Sequence, residues 1–348
     1  TAEVWDSTGD KPIGVLRGHT DGLNQAEFSP DNGRIVTASA DGTARVWDAK
    51  TFQPIATISQ GGKEIYRAVF SPDGRFVATA GKDKTTRLSD AATGSAVWVS
   101  PPGEGEVVDV VFSPDGQFLV ASSLNGPDAA GNDQTGVARV YRVSNGEPVA
   151  ELGRTGVGRT RYGGIWQAAF SPDGRQVATA SEDNTARVWE VGSWRLLTEL
   201  SGPNGHTGRV SHVAFSPDGR LILTTSADNT GRVWDALSGQ NLATLTGHTS
   251  YVVDGAFSPD SQAVVTAGLD GMARVWDAAT GRLLAVLRGH TAGVFSASFK
   301  RDDQSILTSS GDGTARIWQA PTRPSLFEMR GPTDGLTTLA FSPDGALL

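Results

Sequence analysis

The chain has 348 residues, a formal net charge of −8, five histidines and no cysteine. Without cysteine it can form no disulfide, thiolate metal site or cysteine nucleophile, and its acidic balance lacks the Lys/Arg-rich face that grips a phosphate backbone. No apolar run approaches the roughly 20 residues of a membrane helix, and no signal-peptide pattern stands at Thr1, where the chain opens in mid-motif.

In chain order, the predicted elements are one short module met again and again. The chain starts on a strand ending in Trp-Asp (Ala2 to Trp5) and a second strand (Pro12 to Arg17). The first complete module reads Gly22 to Phe28, a turn at Ser29-Pro30-Asp31, Arg34 to Ser39, a turn at Asp41-Gly42, Thr43 to Trp47, then Pro54 to Ile58. Alternating apolar positions, β-branched residues and Pro/Gly/Asp punctuation mark these as strands. In the Ser-Pro-Asp-Gly turn, proline presets φ at the second position and glycine tolerates the exit.

The phrase Ala44-Arg45-Val46-Trp47-Asp48 returns around Trp189, Trp234, Trp276 and Trp318, with weaker copies at Arg87-Leu88-Ser89-Asp90 and Arg139-Val140-Tyr141. Phe-Ser-Pro-Asp-Gly or a close variant begins at Phe28, Phe70, Phe112, Phe170, Phe215, Phe257, Phe299 and Phe341. Each phrase occurs eight times, counting the copy at Trp5. The Trp positions are spaced by 42, 42, 52, 48, 45, 42 and 42 residues, which puts insertions before Tyr141 and Trp189. The seven repeats of Arg before the Val-Trp step (Arg45 to Arg316) read as a strand-surface position. The segment Asp128 to Asp133 carries oxygen ligands and a glycine but not the spacing of an EF-hand, and reads as a solvated hairpin insertion.

With its Gly-His pair, Trp-Asp ending and period of about 40 to 45 residues, the module resembles the WD40 repeat. The resemblance covers essentially the whole chain. It implies an all-β fold, an eight-bladed WD40-type β-propeller in which each blade is a four-stranded antiparallel sheet and residues 1–348 form a single domain. One such sheet cannot bury both faces alone, so blades must stack. The eighth blade is expected to be shared between the termini, with Leu336 to Phe341 and Ala346 to Leu348 joining the two N-terminal strands. Wrapping from Trp318 to Trp5 spans 35 residues, about seven fewer than a full unit.

In the family the histidine joins a Ser or Thr, an Asp and the Trp in a hydrogen-bonded ladder. The resemblance therefore implies the sets His19, Ser39, Asp41, Trp47; His206, Ser226, Asp228, Trp234; and His290, Ser310, Asp312, Trp318. His248 faces Gly268 at the serine place, so its ladder is expected to be incomplete. A Ser-His-Asp set also suits an activated nucleophile, but three copies each closed by a Trp fit buried polar groups satisfying one another.

Propellers that this chain resembles contact partners just before and just after the first apolar residue of the inner strand, and just before the ladder Asp. Reading those places here singles out Arg209 and Tyr251 before that residue, Tyr66, Trp166 and Phe295 after it, and Lys82 and Leu269 before the ladder Asp; Arg67 is added from the next, channel-side position. Tyr, Trp and Arg are the types that anchor interfaces. The expected function is a protein- or peptide-binding scaffold or sensor module of a larger signalling or assembly protein. It is expected to be cytoplasmic and non-enzymatic, with no cofactor or metal and no nucleic-acid or membrane partner. Blades two to four, which lack the Gly-His pair and carry the insertions, are the expected partner sector. Two alternatives remain: a phosphopeptide reader using Arg67, Lys82, Arg159, Arg161 and Arg209, and a propeller enzyme using the channel residues Asp109, Asp254 and His212.

Overall fold

In the computed structural model, the described residues are 1–6, 12–103, 105–124, 126–127, 133–134, 136–153, 164–301, 305–320 and 325–330. They contain strands and turns and no helix. Seven four-stranded antiparallel sheets follow one another along the chain, each with its strands in sequence order. Ala2–Trp5 pairs with Pro12–Leu16 in a two-stranded sheet. The terminal segments expected to complete the eighth blade lie outside the described residues.

Local chemistry sets the strand limits. In blade one the strands are Leu23–Phe28, Arg34–Ser39, Thr43–Asp48 and Pro54–Ser59. The second strand is covered on both faces, and Ile35 to Ser39 are all buried; the fourth is an edge strand on which exposed Ile55 and Thr57 alternate with buried Ala56 and Ile58. The turn between the first two strands repeats with the same geometry. At Ser71-Pro72-Asp73-Gly74 the glycine N–H donates to the Ser71 carbonyl at 2.8 Å, and the Ser71 hydroxyl donates to the Asp73 carboxylate at 2.6 Å. Gly74 sits at φ +69°, and where glycine is missing Asn32 and Ser261 hold the same left-handed conformation. In blade three the insertion is a small hairpin, Gly126–Pro127 against Asp133–Gln134; residues 128–132 lie outside the described residues.

Contacts divide the chain into two compact units, one running to Ala168 and the other from Ala169. Within the first, Trp47 packs with Val4 and Leu16 of the N-terminal strands, and Tyr141 packs with Leu88 and Val110 between blades two and three. Within the second, Trp234 packs with Val188 and Leu200, Trp276 with Val233 and Leu245, and Trp318 with Val275 and Leu287. Each of these aromatic side chains is laid on the sheet that precedes it, so the residue that ends the third strand also joins neighbouring sheets.

The ladder is built differently from the expectation. In blade one the Trp47 indole N–H donates to Thr37 Oγ1 at 2.9 Å, and Thr37 Oγ1 lies 2.8 Å from His19 Nε2. His19 Nδ1 stands 2.8 Å from Asp41 Oδ2. Ser39, expected at that place, instead donates its hydroxyl to the Gly22 carbonyl at 2.8 Å and accepts the Asp41 N–H at 3.1 Å. The same holds for Ser226 and Ser310, whose ladder places are taken by Thr224 and Thr308. Blade six is complete, against expectation: His248 Nε2 and Trp276 Nε1 both lie 2.9 Å from Thr266 Oγ1, and His248 Nδ1 lies 3.0 Å from Asp270. Serine two residues further along the strand is too far from the indole, so Gly268 removes nothing from the ladder.

Burial lowers the pKa of His19, His206 and His248 despite their aspartate partners. Burial also works against ionisation of Asp41, but hydrogen bonds from Thr43, His19 and Thr20 overcome it and hold the carboxyl far below the usual carboxylate range; Asp228 and Asp312 are held down likewise. A neutral imidazole donating from Nδ1 to an ionised aspartate and accepting the threonine hydroxyl at Nε2 satisfies every member.

Candidate partner-binding site

The first strand of six sheets carries a register shift at one place: between Leu23 and Gln25, Ile65 and Arg67, Val107 and Asp109, Val210 and His212, Val252 and Asp254, and Val294 and Ser296. The residue skipped in the pairing, such as Tyr66 or Phe295, is a β-bulge residue. A bulge residue has no partner across the ladder and its side chain is re-aimed. These places vary in type because the ladder makes no demand on them.

The position one step beyond the bulge links successive sheets. Gln25 Oε1 accepts the Ala68 N–H at 3.0 Å, Asp109 Oδ2 accepts that of Ala168 at 3.0 Å, and Asp254 Oδ2 accepts that of Ala297 at 3.1 Å. Arg67 Nε lies 3.1 Å from Asp109, and His212 Nδ1 lies 3.2 Å from Asp254. Asp109, Asp254 and His212, the groups of the enzyme alternative, are thus engaged in joining sheets. Among the described residues no group of three or more acidic residues and histidines could hold a metal ion.

In the unit running to Ala168, the sequence-predicted residues lie among carboxylates. Tyr66 donates its hydroxyl to Glu106 Oε2 at 2.7 Å, and burial together with that bond drives its pKa upward. Lys82 Nζ is 3.9 Å from Glu64, which also accepts from Asn24. Trp166 is half-buried. Arg159 and Arg161 lie outside the described residues. Of the basic set of the phosphopeptide alternative, Arg67 and Lys82 each face an acidic neighbour.

In the unit from Ala169, the other four form a chain of contacts. The Arg209 guanidinium lies 5.9 Å from the centre of the Tyr251 ring. Leu269 N–H donates to the Tyr251 carbonyl at 2.9 Å. A Cβ placed on Gly293 would meet Leu269 Cδ2 at 3.1 Å, and one on Gly311 would meet Phe295 Cε2 at 3.2 Å, while Gly311 N–H donates to Gly293 O at 3.0 Å. Tyr251, Leu269 and Phe295 are 45%, 37% and 38% exposed, large values for side chains of this type. Sequence reasoning missed the two glycines. They occupy two of the partner-contact places, Gly293 before the inner-strand apolar residue and Gly311 before the ladder Asp, but were not singled out as site residues; their bare Cα atoms are the floor on which the apolar side chains lie. These three exposed side chains are in blades six and seven, outside the sector of blades two to four where the insertions point.

Sheets of this kind, joined by a Trp-Thr-His-Asp ladder and repeated at this period, define a WD40-type β-propeller. The family model described as "WD domain, G-beta repeat" matches residues 10–48, 52–90, 99–126, 155–190, 194–235, 239–277 and 281–319, and the chain belongs to that family. WD40 propellers are generally non-enzymatic scaffolds for protein interaction.

Among relatives, WD repeat-containing protein 1 of Gallus gallus is 36% identical over 62 residues, 18% of this chain and 10% of the relative. WD repeat-containing protein 38 of Mus musculus is 46% identical over 54 residues, 14% of this chain and 18% of the relative. Target of rapamycin complex subunit LST8 of Bos taurus is 32% identical over 99 residues, 26% of this chain and 30% of the relative. The matches thus span less than a third of these relatives. The crystal structure of the computationally designed Ika8 protein has the same fold, with a TM-score of 0.77 at 24% identity over 95% of this chain and 96% of that one.

Proposed function

We propose that this propeller is the protein- or peptide-binding module of a larger signalling or assembly protein in the cytoplasm, and that its partner docks on Arg209, Tyr251, Leu269 and Phe295. The observation carrying this reading is the row of exposed apolar side chains on Gly293 and Gly311. Burying Tyr251 and Phe295 against a partner is the arrangement of an interface hot spot, each typically costing 2 kcal/mol or more on truncation. The similarity to a subunit named for its place in a complex points the same way.

The experiment is quantitative capture of partners from the native host with the full-length protein and with its Tyr251→Ala/Phe295→Ala variant. Loss of 2 kcal/mol is about thirtyfold in affinity, so a specific partner should fall to near background with the variant. Equal recovery of the same proteins by both would place the interface elsewhere. Fractionation of the host tests the cytoplasmic assignment, and insensitivity of the captured complex to nuclease tests the exclusion of nucleic acid.

A further inference from the structure

Blade two departs from the ladder in three places at once. Aligned on Phe28 and Phe70, Gly18-His19 becomes Gln60-Gly61 and Trp47 becomes Ser89, while Thr37 and Asp41 keep their counterparts Thr79 and Asp83. The Gln60 carboxamide takes the imidazole's part towards the aspartate: its Nε2 donates to Asp83 Oδ1 at 2.6 Å and to the Thr85 carbonyl at 3.1 Å. The other half of the ladder has no protein partner. Gln60 Oε1, Thr79 Oγ1 and Ser89 Oγ are buried without a hydrogen bond, and all three residues are 0% exposed.

Thr79 is singular in this. Its counterparts Thr37, Thr179, Thr224, Thr266 and Thr308 each accept an indole N–H, at 2.8 to 3.1 Å. Strand register puts Thr79 and Ser89 on one face, because Val77 pairs with Ser89 as Ile35 pairs with Trp47. The two hydroxyls therefore stand on the cross-strand diagonal that an indole ring bridges in blade one.

Serine is far smaller than tryptophan, and a buried polar group left dry costs its full desolvation penalty. Ordering one water costs much less than leaving three such groups dry. A buried water makes about three hydrogen bonds to otherwise unsatisfied groups, and three are present. We infer that the joint between blades one and two holds a structural water where the other ladders hold an indole N–H, bridging Gln60 Oε1, Thr79 Oγ1 and Ser89 Oγ. The water donates one hydrogen to Thr79, as the indole does elsewhere, donates the other to the Gln60 carbonyl and accepts the Ser89 hydroxyl.

The test is a double-mutant cycle with Thr79→Val and Ser89→Ala in the full chain, read as the folding equilibrium constant from denaturant titration. With the water in place, each single change lowers the constant roughly fivefold or more. The double change then lowers it by much less than the product of the two, because both act through one water. Substitutions that are neutral or stabilising, with effects that multiply, would show dry, independent groups and overturn the inference. A second readout does not depend on the variants' stability: oxygen-17 relaxation dispersion of the native protein should count one more long-lived water than the double variant, and an equal count overturns the inference.

Discussion

Thr37→Val tests the ladder most sharply because it keeps the shape of the side chain and removes only the hydroxyl. In the native protein that hydroxyl sits 2.9 Å from Trp47 Nε1 and 2.8 Å from His19 Nε2. Both would be left without a partner, in side chains that are 0% and 2% exposed. Each buried orphan costs about 1–3 kcal/mol, so the loss is roughly 3 kcal/mol, taken from the lower half of the combined range of about 2–6 kcal/mol. With an unfolding entropy of about 2.1 cal/mol/K per residue, that lowers the Tm of a 348-residue chain by about 4 °C. Ser39→Ala is the control. It removes bonds to the Gly22 carbonyl and the Asp41 N–H, beside an exposed Gly22 that water can reach, for about 1 kcal/mol and a fall of 1–2 °C. Scanning calorimetry on the two variants decides the matter. A Ser39→Ala loss equal to or larger than that of Thr37→Val would put the serine back in the ladder and refute the assignment.

Three further expectations follow from the same geometry. Because burial keeps His19, His206 and His248 neutral, the unfolded chain takes up their protons first; their contribution to stability is full above about pH 6.5 and falls as pH drops below it. Protonation of the unfolded carboxylates adds a second fall below about pH 4, since Asp41, Asp228 and Asp312 are held ionised in the fold; denaturant midpoints against pH would show both steps. Glu27 has the opposite sign: burial, opposed by Arg67, pushes its carboxyl up to about 7, so its contribution is present below about pH 4.5 and is lost as pH rises through 7. Glu27→Gln should therefore raise the Tm more at pH 8 than at pH 5. Gly268→Ala should lower stability by about 1–3 kcal/mol, because its Cβ would collide with His248 Nδ1 and lie 2.7 Å from Asp270 Oδ1; a calorimetric Tm no lower than native would mean that the blade-six ladder yields freely.

Strand limits in blade one are legible to within one residue because Pro, Gly and Asp set the turn geometry locally, whatever packs around them. The ladder was legible in its ends and not in its middle. Thr37 and Ser39 are two residues apart on one strand, both small hydroxyls on the same face, and only the reach of the indole decides between them. Repetition held the missing signal, since threonine recurs at 37, 79, 179, 224, 266 and 308 while serine fails at 268. Tyr66 was legible as a non-structural aromatic, yet its bond to Glu106 depends on where the next sheet places a carboxylate, which no spacing within a repeat records.

The same division explains where variation is tolerated. A polar side chain one step past the bulge joins Gln25, Asp109 and Asp254 to amides of the following sheet. A substitution there breaks a joint between sheets. The bulge residue itself pairs with nothing across the ladder, so asparagine, tyrosine, serine, valine and phenylalanine all occupy it. Recognition can therefore diversify at one residue per blade while its neighbour keeps the frame. Blades six and seven add glycine at 293 and 311, which lets Leu269 and Phe295 lie against backbone with their outer faces exposed. An exposed apolar surface on a rigid floor loses little conformational entropy when covered, which is why this stretch, rather than the insertions, is the surface to test first.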